Sequence, residues 1–253
     1  MSSPDVNNRC HHISPVRSAQ TGFGTLVLGD SIELLRAGYA MPEPLDLVVT
    51  DPPLNTRKHE WDKFADFGGF TRTWLELTRR RMATTGTMFV MWPWTGAPEG
   101  FKLFEPTFWP VWIGDPGGVF PTAIYDNRLT VIFDIRMDRR RATGQLASSV
   151  LSFPEARGGG AADTKIHPFQ KPVLLVAYLI ELATKPGDLV FDPFAGSATT
   201  AHACEMTRRR WVCYEKESDH WMAGVQRLRN AGIEVVETTG NGSAHSSQEV
   251  RHA

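Results

Sequence analysis

The sequence predicts an α/β protein built on a doubly wound, mostly parallel sheet. Three observations point there. Short apolar runs of strand length alternate with longer, helix-patterned segments. Several runs end in acidic turns: GD at 29–30, DPP at 51–53 and DPF at 192–194. Finally, 42% of the 253 residues are hydrophobic, enough for one large domain with a sizeable core.

In chain order, TLVLGD (25–30) reads as a strand, SIELLRAGY (31–39) as a helix and LDLVVTD (45–51) as a strand. A helix is expected near FGGFTRTWLELTRRRM (67–82), followed by strand GTMFVMW (86–92) and strand-like FWPVWIG (108–114) and LTVIFDI (129–135). A polar, Gly-rich stretch then covers 137–166. The alternation resumes with helix PVLLVAYLIELAT (172–184), strand DLVFD (188–192), helix SATTAHACEMT (197–207), strand RWVCYE (210–215) and helix HWMAGVQRLRNAG (220–232). Residues 1–23 are read as a flexible polar arm and 238–253 as a disordered tail, since neither has the apolar content to fold. The segment 24–237 is then one catalytic domain, carrying an insert at 137–166.

Composition narrows the function. No apolar run approaches the roughly 18 residues of a membrane span, and no charged-apolar-small leader precedes residue 24. A membrane partner is therefore not expected. The three cysteines, Cys10, Cys204 and Cys213, lack metal-ligand spacing, and Cys10-His11-His12 lies in a flexible arm without fixed geometry. No metal site is expected, and a reducing cytoplasm is the simpler compartment. The net charge of −1 is not the global signature of a nucleic-acid binder, but positive charge clusters at 79–81, 139–141 and 208–210. The first and third Arg triplets follow helices, where cations complement the carbonyl end of the dipole. Arg139, Arg140 and Arg141 follow a strand and open a polar stretch, which makes them the candidates for phosphate contact, against a plain solvated loop.

The chemistry concentrates at strand ends, where ligands sit in such sheets. LVFDPFAGSATT (189–200) is strand, acidic turn, small-residue loop, helix. Gly196 lets a ligand approach the backbone, and the helix start offers free N–H groups to an anion. Neither a phosphate-loop GK[ST] nor a dinucleotide GxGxxG is present. Nineteen residues after Gly196, Glu215 ends the next strand, placed to accept both hydroxyls of a ribose. At 51–53, an acid precedes two residues without backbone N–H. The Asp51 carboxylate and the Pro52 carbonyl, stiffened by Pro53, form a pair of acceptors at the strand end, against the plain reading that Asp-Pro-Pro only terminates the strand.

These motifs resemble the β group of DNA amino-methyltransferases, S-adenosylmethionine enzymes that methylate adenine N6 or cytosine N4. The catalytic-type DPPL (51–54) precedes the cofactor-type DPFAGSATT (192–200), the circularly permuted order of that group. HPFQKP (167–172) is similar to its HPxQKP, LVLGDSIELL (26–35) to its N-terminal GDxxxxL, and LNTRKHEWDKF (54–64) to its WD-bearing stretch. The resemblance implies a seven-stranded methyltransferase sheet with S-adenosylmethionine as cofactor and double-stranded DNA as partner. It implies that Asp30 meets the cofactor's adenine amino group and Glu215 the ribose. Phe194, Ala195, Gly196 and Ser197, with Thr199 and Thr200, hold the methionine moiety. Lys171 pairs with a carboxylate or fixes the loop, His167 makes either a local hydrogen bond or a ligand contact, and Asp192 caps the turn or touches the cofactor.

Two residues depart from the family pattern. Leu54 stands where relatives carry an aromatic that stacks on the flipped base, an interaction worth about 1–3 kcal/mol. Either Leu54 serves as an apolar lid, or Trp92 or Trp94 supplies the ring, with Trp94 preferred. Ala198 replaces a glycine, tolerated at a helix start but crowding the cofactor if its φ is positive.

The insert at 137–166 lies where relatives carry target recognition. Its shortness predicts a homodimer, a partner subunit or loose sequence preference. The resemblance favours adenine N6, with cytosine N4 as the alternative target. A catalytically weak cofactor- and DNA-binding subunit, and an RNA or protein-amide methyltransferase, are the competing readings.

Overall fold

The computed structural model describes residues 16–42, 44–93, 97–105, 111–114, 130–138, 150–152 and 171–240. Its ten strands are β1 (Val16–Gln20), β2 (Gly24–Leu28), β3 (Leu45–Thr50), β4 (Met82–Pro93), β5 (Val111–Gly114), β6 (Thr130–Arg136), β7 (Val150–Ser152), β8 (Leu189–Asp192), β9 (Arg210–Glu215) and β10 (Val236–Gly240). The helices are α1 (Ser31–Ala37), α2 (Phe67–Arg79), α3 (Ala97–Phe104), α4 (Val173–Ala183), α5 (Thr199–Thr207) and α6 (Ser218–Asn230).

All ten strands form one sheet, in the order β10-β1-β2-β9-β8-β3-β4-β6-β5-β7. The centre, β2-β9-β8-β3-β4, is parallel throughout. Period-two alternation along these strands divides the core in two. Leu47 and Val49 of β3, Phe89 and Met91 of β4, and Trp211 and Cys213 of β9 join the cluster under α4, α5 and α6. Their neighbours Val48, Met88, Val90, Val212 and Tyr214 join the cluster under α1, α2 and α3. Both faces are covered, so the central strands read as continuous apolar runs.

The doubly wound α/β class is therefore observed, with ten strands where seven were expected. Two of the additions come from segments whose polar composition suggested an arm and a tail. Val16–Gln20 pairs antiparallel with both β2 and β10. In the β1–β10 ribbon, Val16 and Ala19 of β1 are buried in the core, whereas β10 is held mainly by backbone pairing, four of its five residues being exposed. The ribbon's side chains are tied by a Ser18–Thr238 hydroxyl pair at 2.9 Å and by Arg17 and Arg229 flanking Glu237 at 2.7 and 3.0 Å. The remaining addition, β7, lies inside the expected insert and pairs parallel with β5. In addition, α2 ends at Arg79 and β4 begins at Met82, earlier than the apolar run alone indicated.

The outer Arg triplets are structural, and each secures carbonyls at helix ends. Arg81 donates to Leu35 O at the end of α1 (2.7 Å), and Arg79 to Phe104 O at the end of α3 (2.9 Å). Buried Arg209 donates to Thr207 O of α5 (2.6 Å) and to Thr184 O beyond α4 (2.7 Å).

What positions the site is the junction of β3 and β8. These strands are parallel neighbours, yet α2 leaves β3 toward one face of the sheet and α5 leaves β8 toward the other. Diverging helices open a crevice beyond the carboxyl ends of the two strands, where α/β sheets bind ligands.

Candidate active site

Asp51 follows β3, Asp192 ends β8 and Glu215 ends β9, and all three line one cleft at that crevice. Pro52, Pro53 and Leu54 enter from the β3 side. Phe194, Ala195, Gly196 and Ser197 enter from the β8–α5 turn, with Thr199 and Thr200 from the first turn of α5. Asp30 and Lys171 complete the set, so the predicted catalytic and cofactor-binding residues within the described residues reach the same cleft. Trp94, His167 and Arg139, Arg140 and Arg141 lie outside the described residues.

Asp192 organises the β8–α5 turn. It is 4% exposed, and its two carboxylate oxygens accept from the Thr50 hydroxyl (2.9 Å), Phe194 N–H (3.0 Å) and the Thr200 hydroxyl (2.7 Å). Burial raises its carboxyl to about 6, opposed by those three hydrogen bonds. Two polar roots thus tie β3, β8 and α5 together beneath the cleft floor.

Glu215 holds the opposite wall. Its Oε2 accepts from Gly196 N–H and its Oε1 from Glu217 N–H, both at 2.7 Å. His220 Nδ1 lies 3.8 Å from Oε1, and the nearby Glu215 carboxylate raises the imidazole above its ordinary value. Gly196 has φ of 53°, and a methyl built there would meet nothing within 4 Å, so its face is open to the cleft. Behind the loop, buried Arg227 of α6 donates to Ser197 O (3.1 Å) and Thr199 Oγ1 (2.6 Å).

On the β3 side, the Lys171 ammonium donates to Asp51 Oδ2, which realises the carboxylate pairing foreseen for that lysine. The next loop is pinned by Asp62, whose 2%-exposed carboxylate accepts from Leu54 N–H (2.8 Å), Asn55 N–H (2.7 Å), Thr56 N–H (2.6 Å) and the Thr56 hydroxyl. Asn55, held at φ of 54°, accepts at Oδ1 from Phe64 N–H (3.0 Å) and so closes the loop on itself.

Three expectations need correction or refinement. Asp30 is the N-cap of α1, its Oδ1 accepting from Ile32 N–H (2.9 Å) and Glu33 N–H (3.3 Å), while Oδ2 lies 3.2 Å from the Lys216 ammonium. Only one of its oxygens is turned to other work. Trp92 is no platform for a base: it is 4% exposed, stacks at 6.0 Å on Phe67 and meets Phe104 edge-on. Ala198 does adopt positive φ (59°), but its methyl lies against Gly224 of α6 and not in the cleft.

Sequence reading missed Asp62, Arg227, His220 and the half-buried rings Phe64 and Phe70. The Trp-Asp pair at 61–62 was the one local signal for Asp62. Nothing in the sequence joins Arg227 to a loop 30 residues earlier. Among the described residues, no His/Cys/Asp/Glu group is arranged for a metal and no helix is long and apolar enough to cross a membrane.

The parallel sheet, its switch-point cleft, and the open glycine loop facing a strand-end glutamate form a ligand site of the kind doubly wound sheets place at their strand ends. The N6/N4 methylase family model, described as "DNA methylase", matches residues 120–224. Type II methyltransferase M2.DpnII of Streptococcus pneumoniae is 24% identical, over 80% of this chain and 88% of its own. Type II methyltransferase M.HinfI of Haemophilus influenzae is 26% identical, over 82% and 68%. Among solved structures, the cytosine-N4-specific PvuII DNA methyltransferase superposes with a TM-score of 0.64 at 18% identity, covering 83% of this chain and 87% of that one. The M1.HpyAVI–SAM complex gives 0.61 at 20% identity, covering 80% and 98%. The family model, the type II relatives and the solved structures together support a β-group DNA amino-methyltransferase, acting on adenine N6 or cytosine N4 with S-adenosylmethionine as cofactor.

Proposed function

We propose that this protein methylates the N6 amino group of adenine in double-stranded DNA. The observation that carries this is the shared cleft: the Asp51 acceptor motif and the Gly196–Glu215 wall face one space at adjoining strand ends.

The residues present fit the cofactor. The open face of Gly196 accommodates a ligand that any side chain there would obstruct, and Glu215 offers a rigidly held carboxylate to ribose hydroxyls. Phe194, Ala195, Gly196 and Ser197 cradle the amino-acid portion. Asp192, Thr199 and Thr200 fix that cradle, and Asp30 Oδ2, now paired with solvent-exposed Lys216, takes the purine amino group in its place. When bound, S-adenosylmethionine supplies an electrophilic methyl on a sulfonium.

The protein's own contribution is positioning and electrostatics. Asp51 and the Pro52 carbonyl accept the two N–H bonds of the target amine and aim its lone pair outward. Pro53 stiffens that carbonyl. Lys171 pairs with Asp51 and fixes its orientation, so that the carboxylate is placed to take the proton that becomes acidic once the amine is alkylated. Asp51 need not remove a proton beforehand.

Residues 16–240, which the sheet joins, form the catalytic unit, and 137–166, with Arg139, Arg140 and Arg141, meets the target DNA. A homodimer or partner subunit supplies the remaining recognition. The bacterial relatives support a bacterial or phage-encoded enzyme acting in the cytoplasm. The test is nucleoside mass spectrometry of unmethylated genomic DNA incubated with the protein and S-adenosylmethionine. N6-methyladenine is expected; N4-methylcytosine would reassign the target, and no methylated base would reject the reading.

A further inference from the structure

The family reading leaves a gap at position 54, where the leucine offers no aromatic face. The loop that follows shows what fills it. Asp62 draws Leu54, Asn55 and Thr56 inward, and the Asn55 side chain takes the N–H of Phe64 at 3.0 Å. Residue 64 is thereby held beside the backbone of residue 55, one step from Leu54, although ten positions separate them in sequence. Phe64 lines the cleft together with Leu54 and Asp51. Its ring is half-buried and stacked on Phe70 at 4.2 Å with an interplanar angle of 28°. Phe70 sits in the first turn of α2 and abuts Phe194 of the cofactor loop at 5.8 Å. The result is a row of rings running from the rim of the cleft to the cofactor cradle, braced by a helix at its centre.

We propose that Phe64 supplies the aromatic face for the extruded target base that Leu54 lacks. This rests on the methyltransferase reading above. Two other rings are less suited. Trp92 is buried within the core. Trp61 is parallel to His59 at 5.4 Å and edge-on to His220 at 5.7 Å, which sets it against the Glu215 wall, the cofactor side of the cleft. Phe64 combines partial exposure, a backing ring and a hydrogen bond from its backbone to the Asn55 side chain, in the loop that continues from the acceptor motif. A base–aromatic stack strengthens the extruded state without altering the acceptor pair.

The test uses the full-length protein and two duplexes carrying the site mapped by modification-sensitive sequencing, one with the natural target base for turnover and one with 2-aminopurine at the target position for the fluorescence response. Phe64→Leu keeps an apolar side chain and removes the ring; Phe64→Tyr keeps the ring. Phe64→Leu is expected to weaken the 2-aminopurine response and kcat/KM for DNA by about 5- to 150-fold, with S-adenosylmethionine affinity within about twofold of wild type by calorimetry. Phe64→Tyr should stay near wild type. Adding Leu54→Tyr to Phe64→Leu should recover the response, an effect that a purely structural loss does not give. A Phe64→Leu variant with wild-type DNA response, or one losing cofactor affinity in step with that response, overturns the proposal. Loss in Trp61→Leu with none in Phe64→Leu would move the role to Trp61. If the unaltered protein methylates no DNA, the methyltransferase reading itself fails, and this inference with it.

Discussion

Asp62→Ala is the perturbation whose cost follows most directly from the structure. The wild-type carboxylate is 2% exposed and receives three backbone N–H groups and one hydroxyl. A buried donor stripped of its partner costs about 1–3 kcal/mol. Thr56 is exposed and can turn to water, while Leu54 and Asn55 are half-buried and cannot do so without opening the loop. The expected loss is therefore about 2–4 kcal/mol, taken mostly as local opening of residues 54–64. Asp62→Asn retains one oxygen for Leu54 and Asn55 and turns an amide toward Thr56 N–H, so about half that loss is expected. Because the loop continues directly from Pro52 and Pro53, its opening displaces the acceptor carbonyl. A misplacement of about 1 Å costs on the order of 100-fold in rate. Amide exchange at residues 54–56 should accelerate, and kcat should fall about 100-fold in Asp62→Ala and about tenfold in Asp62→Asn. The Gly196–Glu215 wall does not use Asp62, so cofactor affinity should change little. Wild-type kcat in Asp62→Ala, or a loss of cofactor affinity as large as the loss of kcat, would refute this account of the loop.

Two further predictions concern the cofactor side. Burial raises the folded-state carboxyl of Asp192 from 3.8 to about 6. The folded state therefore holds that proton more tightly than the unfolded chain, and the contribution is full below pH 4 and lost as pH rises through about 6. Relative to Asp192→Asn, the wild type should lose about 3 kcal/mol between pH 4 and pH 6.5 and then level off, as read by urea unfolding at a series of pH values. A difference that rises with pH would show the sign to be wrong. Glu215→Ala removes the acceptor for Gly196 N–H and for the ribose together, and should weaken S-adenosylmethionine binding at least tenfold by calorimetry; unchanged affinity would exclude the ribose role.

The division between what the sequence disclosed and what it hid follows interaction range. Periodicity disclosed the central strands and their helices, because residues such as Val48 and Val49 must face opposite core layers. Asp51, Gly196 and Glu215 were legible because each sits at a strand end beside Pro or Gly, where backbone chemistry marks a ligand site. The β1–β10 ribbon was hidden because residues 16–20 and 236–240 are polar-rich segments that pair only once the folded chain brings them together. Arg227 and Phe64 were hidden for a related reason. Their importance lies in partners that only the folded chain brings near. Ala198 shows the opposite case: its positive φ was a foreseeable risk, but the space that accommodates its methyl comes from Gly224, which no local pattern connects to it.

Transfer of labelled methyl from S-adenosylmethionine to duplex DNA by the wild type and by Asp51→Ala, with cofactor affinity measured on the same preparations, tests the central claim most directly. The account predicts N6-labelled adenine from the wild type, no transfer from Asp51→Ala, and only a modest change in cofactor affinity. Undiminished transfer by Asp51→Ala would contradict it.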